Sequence, residues 1–436
     1  MLEPAPSRSD WRTFLSSRYR PFHAVGIGQG AVGALAGGAV TMPLLLQLGA
    51  PPPVAAAVGI LPGIGALSQL VLPGILRRTD GNLRRLTLLV AALGDTRGLW
   101  LAAIVTLAAI GMVPHPLAIA LIALTTVAAS TLGGLSGTTL LAWYHAVLPE
   151  DERRLVSPRL GTLGSVVSVA LLLPTAALVA NRDLGLWAYV PPLLAAGGAS
   201  LLGIAGLTRL PRPGRVRIPA RAQVRAERPA SLDRFVRVSC IGSFGFGIGP
   251  PLSVFAIAIL GMSPGFTVGL SAFGTVASLV SSAVVATRLG RGSASRLLRV
   301  SHVVRGVAMA SGLSSLIAGP FAPVLLVVAV ALGAAGDAAG QLAGTERLLR
   351  LAVGRAAIAH QADYVAATSL TSVGAQLTGS AVLAVGAGAG PLPFAALFIA
   401  SGVARAIVAV RLEVSPRTTP RSLSAGGSVP KAASFR

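Results

Sequence analysis

The side chains able to do chemistry in this sequence are few, and the most conspicuous stand inside apolar runs. The stretch LLVAALGDTRGLWLAAIV, residues 88–105, has Asp95 and Arg97 near its middle. A second set comprises His302 and Arg305, three residues apart and so on one face of a helix, with Asp337 further along. Gln29, Ser243 and the series Thr368, Ser372 and Gln376 add polar groups; the last three are spaced i, i+4, i+8 and form one helical stripe. A carboxylate or imidazole in apolar surroundings can change its protonation as ligand or neighbouring charge arrives. The amide and hydroxyl groups can face a cavity and bind a solute, or hydrogen-bond a neighbouring helix.

Other chemistries find no support. No nucleophile–base pair is evident, so an enzyme is not expected. The five histidines, at 23, 115, 145, 302 and 360, form no His-x-x-x-His pair, and the single cysteine, Cys240, excludes an intramolecular disulfide or a cysteine cluster. Neither metal nor cofactor is expected. Gly28 to Gly33 fits G-x-G-x-x-G, but no strand precedes it, and these glycines read as close-packing positions between helices. Gly336, Gly340 and Gly344, four residues apart, read the same way.

The elements that hold these residues follow from composition. Hydrophobic residues make up 53%, charged residues 11%, and the mean hydropathy is +0.75. That is the profile of a membrane protein, and one span needs about 20 mainly apolar residues. Breaks at Pro, Gly and charge clusters give twelve spans: 22–46, 54–76, 86–110, 116–143, 160–180, 185–208, 236–260, 265–287, 297–318, 322–343, 364–386 and 391–411. None of the alternating segments of about 10 residues that build a β-barrel is present. The expected fold is therefore an all-α integral membrane protein of twelve transmembrane helices. No apolar h-region precedes the first span, which reads as a retained signal-anchor helix.

The net charge of +22 has a topological origin. Basic residues fall in every second connection, among them Arg77, Arg78, Arg84 and Arg85 after the second span and Arg288, Arg291, Arg296 and Arg299 after the eighth. The intervening connections LGAPPPV, MVPHP, LGMSPGF, AGPFAP and GAGAGPL carry no Arg or Lys; Arg182, beside Asp183, is the exception. This positive-inside asymmetry puts both termini in the cytoplasm of a cell (inner or plasma) membrane, with the bilayer as partner and no nucleic acid. Trp143 and Tyr144 at one end of a span, and Trp187 and Tyr189 at another, read as interface anchors.

Asp95 and Arg97 together cost about 5–7 kcal/mol at a helix centre, and about ten Leu, Ile and Val residues of the same span return about 3–6. The span can insert only with both charges turned into the bundle or a wet cavity. Two residues apart on a regular helix, they lie about 200° around from each other, so each needs another partner. Arg305 and Asp337 lie at similar depth on consecutive antiparallel spans, so Asp337 is expected to face Arg305 or His302. Such a pair either titrates during function or serves as a fixed tie between helices.

The linker TRLPRPGRVRIPARAQVRAERPASLDR separates two halves that look alike. LGAPPPVAAAV resembles LGMSPGFTVGL, RRTDGNLRRL resembles TRLGRGSASRLL, and the fifth span resembles the eleventh, in the same order. The expected organisation is a cytoplasmic segment 1–21, a six-helix bundle 22–208, a cytoplasmic linker 209–235, a second bundle 236–411 and a disordered cytoplasmic tail 412–436. Parallel six-plus-six repeats describe one transporter architecture.

In its twelve spans, central linker and short basic loop after the second span, the chain resembles the major facilitator superfamily. In that family the loop usually reads G-x-x-x-D-R-x-G-R-R. Here GILRRTDGNL, residues 74–83, matches it at Gly74 and Gly81, with Arg78 at the acid position and Arg84 and Arg85 just beyond. The resemblance implies two pseudo-symmetric six-helix bundles, a gating role for that loop, and a monomeric secondary transporter working by alternating access. Proton-coupled export of a small, amphipathic solute is the leading expectation; proton or another ion gradient would drive it. Asp95, Arg97, His302, Arg305, Asp337, Gln29, Ser243, Thr368, Ser372 and Gln376 are the candidates for coupling and substrate contact. A non-transporting membrane protein of the same fold, handling lipid, sensing or aiding assembly, is the alternative.

Overall fold

The computed structural model describes residues 12–65, 67–68, 71–72, 75, 78, 82–148, 150–213, 229–289, 294–351 and 357–412. The described residues contain helices and turns and no strand. Helices occur at all twelve expected positions. In the first half these are α1a (Arg20–Leu35) and α1b (Gly38–Gln47), α2 (Pro52–Gly65), α3a (Leu83–Gly94) and α3b (Arg97–Ala109), α4 (His115–Val147), α5 (Glu150–Ala180) and α6 (Val190–Arg209). In the second they are α7a (Ala230–Gly247) and α7b (Leu252–Ala258), α8 (Pro264–Leu289), α9 (Ala294–Ser314), α10 (Ala322–Leu351), α11 (Ala357–Val385) and α12 (Leu392–Arg411). Among the described residues nine segments are long and apolar enough to cross a membrane. The others are α2, part of whose continuation lies outside the described residues, α9 with Arg299, His302 and Arg305, and α11 with its polar stripe.

The connections at one end share one device. Gly49, Gly111, Gly185, Gly261, Gly319 and Gly390 have φ between 52° and 86°, one in each connection from an odd-numbered helix to the next. A side chain there would strain the left-handed backbone, and glycine permits a reversal within a few residues. Proline then opens the next helix, as at Pro116, Pro191 and Pro393, where a missing N–H removes nothing. Tight turns at this end and arginine-bearing connections at the other give the two ends different chemistry.

Three spans expected as continuous helices are broken. α1 parts at Ala36–Gly37, α3 at Asp95–Thr96, and α7 at residues 248–251, where Pro250 and Pro251 cannot donate to the helix ladder. α4 and α5 extend beyond 116–143 and 160–180.

Packing repeats between the halves. α1a lies against α5 and α6 as α7a lies against α11 and α12; α2 pairs with α4 as α8 pairs with α10; α3 meets α4 as α9 meets α10. Across the halves α5 packs on α8 and α2 on α11, the same contact related by a pseudo-twofold axis. The close approaches rest on small residues: Gly30 touches Gly164 of α5, Gly28 touches Gly203 of α6, and Gly265 of α8 sits on Ala176 and Ala180 of α5. The glycines of the G-x-G-x-x-G match thus make helix contacts, except Gly33, which has no neighbour within 4 Å of its would-be Cβ.

One apolar core, holding Leu44, Ala56, Leu101 and Leu172 with Phe255, Val268, Leu383 and Phe394, joins both halves at the glycine-turn end. At the arginine-rich end the halves have separate cores, one around Phe22, Trp143 and Leu207 and one around Phe235, Leu298 and Leu348. The anchor reading of the aromatic residues is corrected here. Trp143, Tyr144 and Tyr189 are buried in protein; Trp143 Nε1 donates to the Pro211 carbonyl at 2.8 Å, and only Trp187 of the four is exposed.

Candidate functional site

A cavity of about 370 Å³ lies where α7 is broken, between α9, α10, α11 and α12 of the second half, with Met42, Ala56 and Gly59 of the first half across it. Its charged lining residues are Arg305, Asp337 and Arg405. Their positions follow from the helices. Residues 305 and 337 sit at matching heights on neighbouring antiparallel helices, and α12 packs on the other side of α9.

Arg305 Nε stands 2.6 Å from Asp337 Oδ1. The expected pairing therefore forms with Arg305, and His302 takes no part in it. The glycines around Asp337 make the approach possible. A Cβ on Gly336 would lie 2.7 Å from Arg305 Cγ, and one on Gly340 would lie 2.7 Å from Arg305 Nη2 and 3.0 Å from Ser301 Oγ. The arginine lies flat along α10 in a groove that any side chain at these positions would fill. Gly344, the third of the series, has no neighbour within 4 Å. The Arg305 side chain is 12% exposed and that of Asp337 34%, so the acid is the more accessible partner.

Arg405 was not singled out in the sequence, although it breaks the apolar run of α12 as Asp95 breaks that of α3; that interruption was the available signal. It is 5% exposed, and its Nε has no hydrogen-bond partner. Its guanidinium carbon lies 5.9 Å from the centroid of Phe246, which also lines the cavity. Two uncharged groups nearby are unpaired as well: Gln376 Oε1 and Ser380 Oγ are buried without a partner. Ser380 extends the stripe of Thr368, Ser372 and Gln376 by one further turn and was likewise missed. Ser401 Oγ donates to the Gly245 carbonyl at 2.5 Å, tying α12 to α7a beside the cavity.

The remaining candidates lie elsewhere. His302 is buried one turn from Arg305 against α7a, where a Cβ on Gly242 would come within 2.9 Å of its Cε1. Asp95 and Arg97 form no ion pair. Arg97 Nη2 donates to the Val32 carbonyl at 3.2 Å, so its partner is the backbone of α1a, while Asp95 stands at the C-cap position of α3a, its backbone N–H donating to the Ala91 carbonyl. Gln29 is exposed and Ser243 half-buried; neither lines the cavity. Thr368 donates to Tyr364 O in its own helix, and the Ser372 carbonyl abuts Gly247. Of the stripe only Gln376 and Ser380 reach the cavity. In the basic loop Gly74 and Gly81 lie outside the described residues; Arg78 is exposed. Arg84 Nη2 donates to Thr208 O at 2.9 Å, and the Arg85 amide donates to the Asn82 side chain at 3.1 Å.

No protein-family model and no curated protein sequence matches the chain. Solved structures do. A bacterial homologue of the iron transporter ferroportin, in its inward-facing state, superposes with TM-score 0.65 at 15% identity, over 93% of this chain and 98% of that one. A D-xylose–proton symporter gives TM-score 0.69 at 15% identity over 91% and 97%. The xylose transporter XylE from E. coli, in an inward open conformation, gives 0.65 at 13% identity over 92% and 96%. With helices at the twelve expected positions, the pseudo-twofold packing and these likenesses over nearly its whole length, the chain has the major facilitator superfamily fold.

Proposed function

We propose that the protein is a secondary transporter that moves a small solute by alternating access, its two halves, 22–208 and 236–411, rocking about the central cavity. One observation carries the reading: a cavity with an ion pair in its wall, built by the second half and faced by Met42, Ala56 and Gly59 of the first, lies where two halves share a core at one end and have separate cores at the other. Such an arrangement is suited to exposing the same cavity to either side of a membrane in turn. The arginine distribution favours cytoplasmic termini, with the separate cores on the cytoplasmic side.

Asp337 is the acid we assign to coupling. Protonation would remove its charge, release Arg305 and loosen α9 from α10; deprotonation would restore the tie. Export is the direction assigned, with a proton gradient as driving force. The test is solute counterflow in proteoliposomes, followed by pH-gradient-driven uptake with the wild type and Asp337→Asn. Transport of a solute by the wild type, with loss of the gradient response in the variant, supports the reading. Folded protein that moves no solute from a broad panel favours a non-transporting role; full gradient response in the variant removes Asp337 as coupling acid.

A further inference from the structure

We infer that the cavity binds a small monocarboxylate, its carboxylate on Arg405 and its apolar body against the cavity wall. This rests on the cavity being a solute site, as proposed above, and goes further by naming the solute's chemistry.

The first argument is charge. Two guanidinium groups and one carboxylate line the cavity, one positive charge in excess, and the carboxylate stands against Arg305 at 2.6 Å. Arg405 is left with one positive charge, nine-tenths and more removed from solvent, and without a carboxylate partner among the described residues. A buried charge of this kind is unfavourable until something neutralises it. The ring of Phe246 offers weak compensation, at 5.9 Å. An anion entering the cavity would supply the rest, and a planar carboxylate matches the guanidinium fork in two parallel hydrogen bonds.

The second argument is hydrogen bonding. Gln376 and Ser380 line the same cavity, and their Oε1 and Oγ atoms are buried and unpaired. The Ser380 hydroxyl can donate to a carboxylate, and Gln376 Oε1, an acceptor, can take a hydrogen bond from a second polar group on the solute. Unsatisfied buried polar groups call for a partner, and beside a cavity a ligand's polar atoms can supply one.

The third argument is the wall. Met42, Ala56, Leu252, Met309, Leu383 and Leu397 surround the polar cluster. They favour an apolar or aromatic body behind the charge, and about 370 Å³ limits it to a small molecule. A single uncompensated cation selects one negative charge. A dianion such as phosphate would exceed the match, and an amine would meet like charge.

The experiment is a thermal-shift and equilibrium-binding series on the full-length, delipidated protein in a neutral detergent. The probes are hexanoate, benzoate and indole-3-acetate, each beside its primary amide and the corresponding amine, with inorganic phosphate and phosphatidylglycerol as further arms. The inference expects at least one carboxylate to stabilise the wild type, with its amide and amine at least tenfold weaker. Arg405→Gln is expected to lose that carboxylate at least tenfold, and Arg405→Lys to keep part of it. Preference for an amine or an amide, for phosphate alone or for the anionic lipid alone overturns it, as does carboxylate binding that Arg405→Gln leaves unchanged. The wild-type series stands even if a variant does not fold. Counterflow separates the two proposals: an amine that is bound and transported overturns the carboxylate and leaves the transporter, whereas a carboxylate that is bound and never moved does the reverse.

Discussion

Arg305 meets Asp337 at 2.6 Å across a strip of α10 that has no side chain at Gly336 or Gly340. The four-residue glycine spacing brings the backbones of α9 and α10 together at Gly336, where a Cβ would lie 3.1 Å from Ser301 O, and at Gly340 makes room for the Arg305 guanidinium. The pair and the glycines are one device, and the predictions about the site follow from it.

Asp337→Asn leaves the Arg305 charge buried without its acid. Because Asp337 is about one-third exposed, the expected destabilisation is about 1–3 kcal/mol, below the range for fully enclosed pairs. Adding Arg305→Gln removes the stranded charge and is expected to restore most of the loss. Thermal melting of the three variants in detergent checks this; a double variant less stable than Asp337→Asn would contradict it.

Gly340→Ala places a Cβ 2.7 Å from Arg305 Nη2, and the guanidinium must shift. Gly344→Ala meets nothing within 4 Å. The first is expected to lose about 1–2 kcal/mol and to alter solute binding. The second is expected to be neutral or to gain up to about 1 kcal/mol from helix propensity. Equal effects at the two positions would show that the groove is not what Gly340 provides.

Much of this was legible in the sequence, for identifiable reasons. The twelve segments are written in long apolar runs, and the sidedness of the connections in arginines that alternate with glycine and proline. The depth of Arg305 and Asp337 could be counted from the helix ends, which brought the pair within reach. Helix breaks were harder: Gly37 lies in a run whose composition hardly changes, and at Asp95–Thr96 the interruption was read as buried charge rather than as a helix end. Arg405 was legible by the rule that drew attention to Asp95, yet which face of α12 it occupies depends on packing against α7a and α9. Trp143 and Tyr189 had the right composition and position for an interface; only the tertiary contacts place them inside the protein.

The glycines of α1a make a contrasting pair. A Cβ on Gly30 would run into the Gly164 backbone, 2.7 Å from its Cα, which cannot swing aside as a side chain can. Gly33 has open space. Gly30→Ala is expected to lose 2 kcal/mol or more, on the order of an overpacked core, and to lower the yield of folded protein; Gly33→Ala is expected to retain it. Size-exclusion profiles and melting points decide, and a well-folded Gly30→Ala protein would mean that α1a and α5 do not approach as described.

The account's central claim is that the two halves move about the cavity. Met112 and Ile317, exposed at the glycine-turn ends of α3 and α9, and Arg209 and Arg411, at the opposite ends of α6 and α12, are pseudo-symmetric positions for paired spin labels. Distances measured between the labels in lipid, with the wild type and with Gly265→Val wedging the α5–α8 contact, test the claim most directly. The account expects two populations, with the wedge lengthening 112–317 while shortening 209–411. A single unchanged distance at both ends, in a folded protein carrying the wedge, would contradict it.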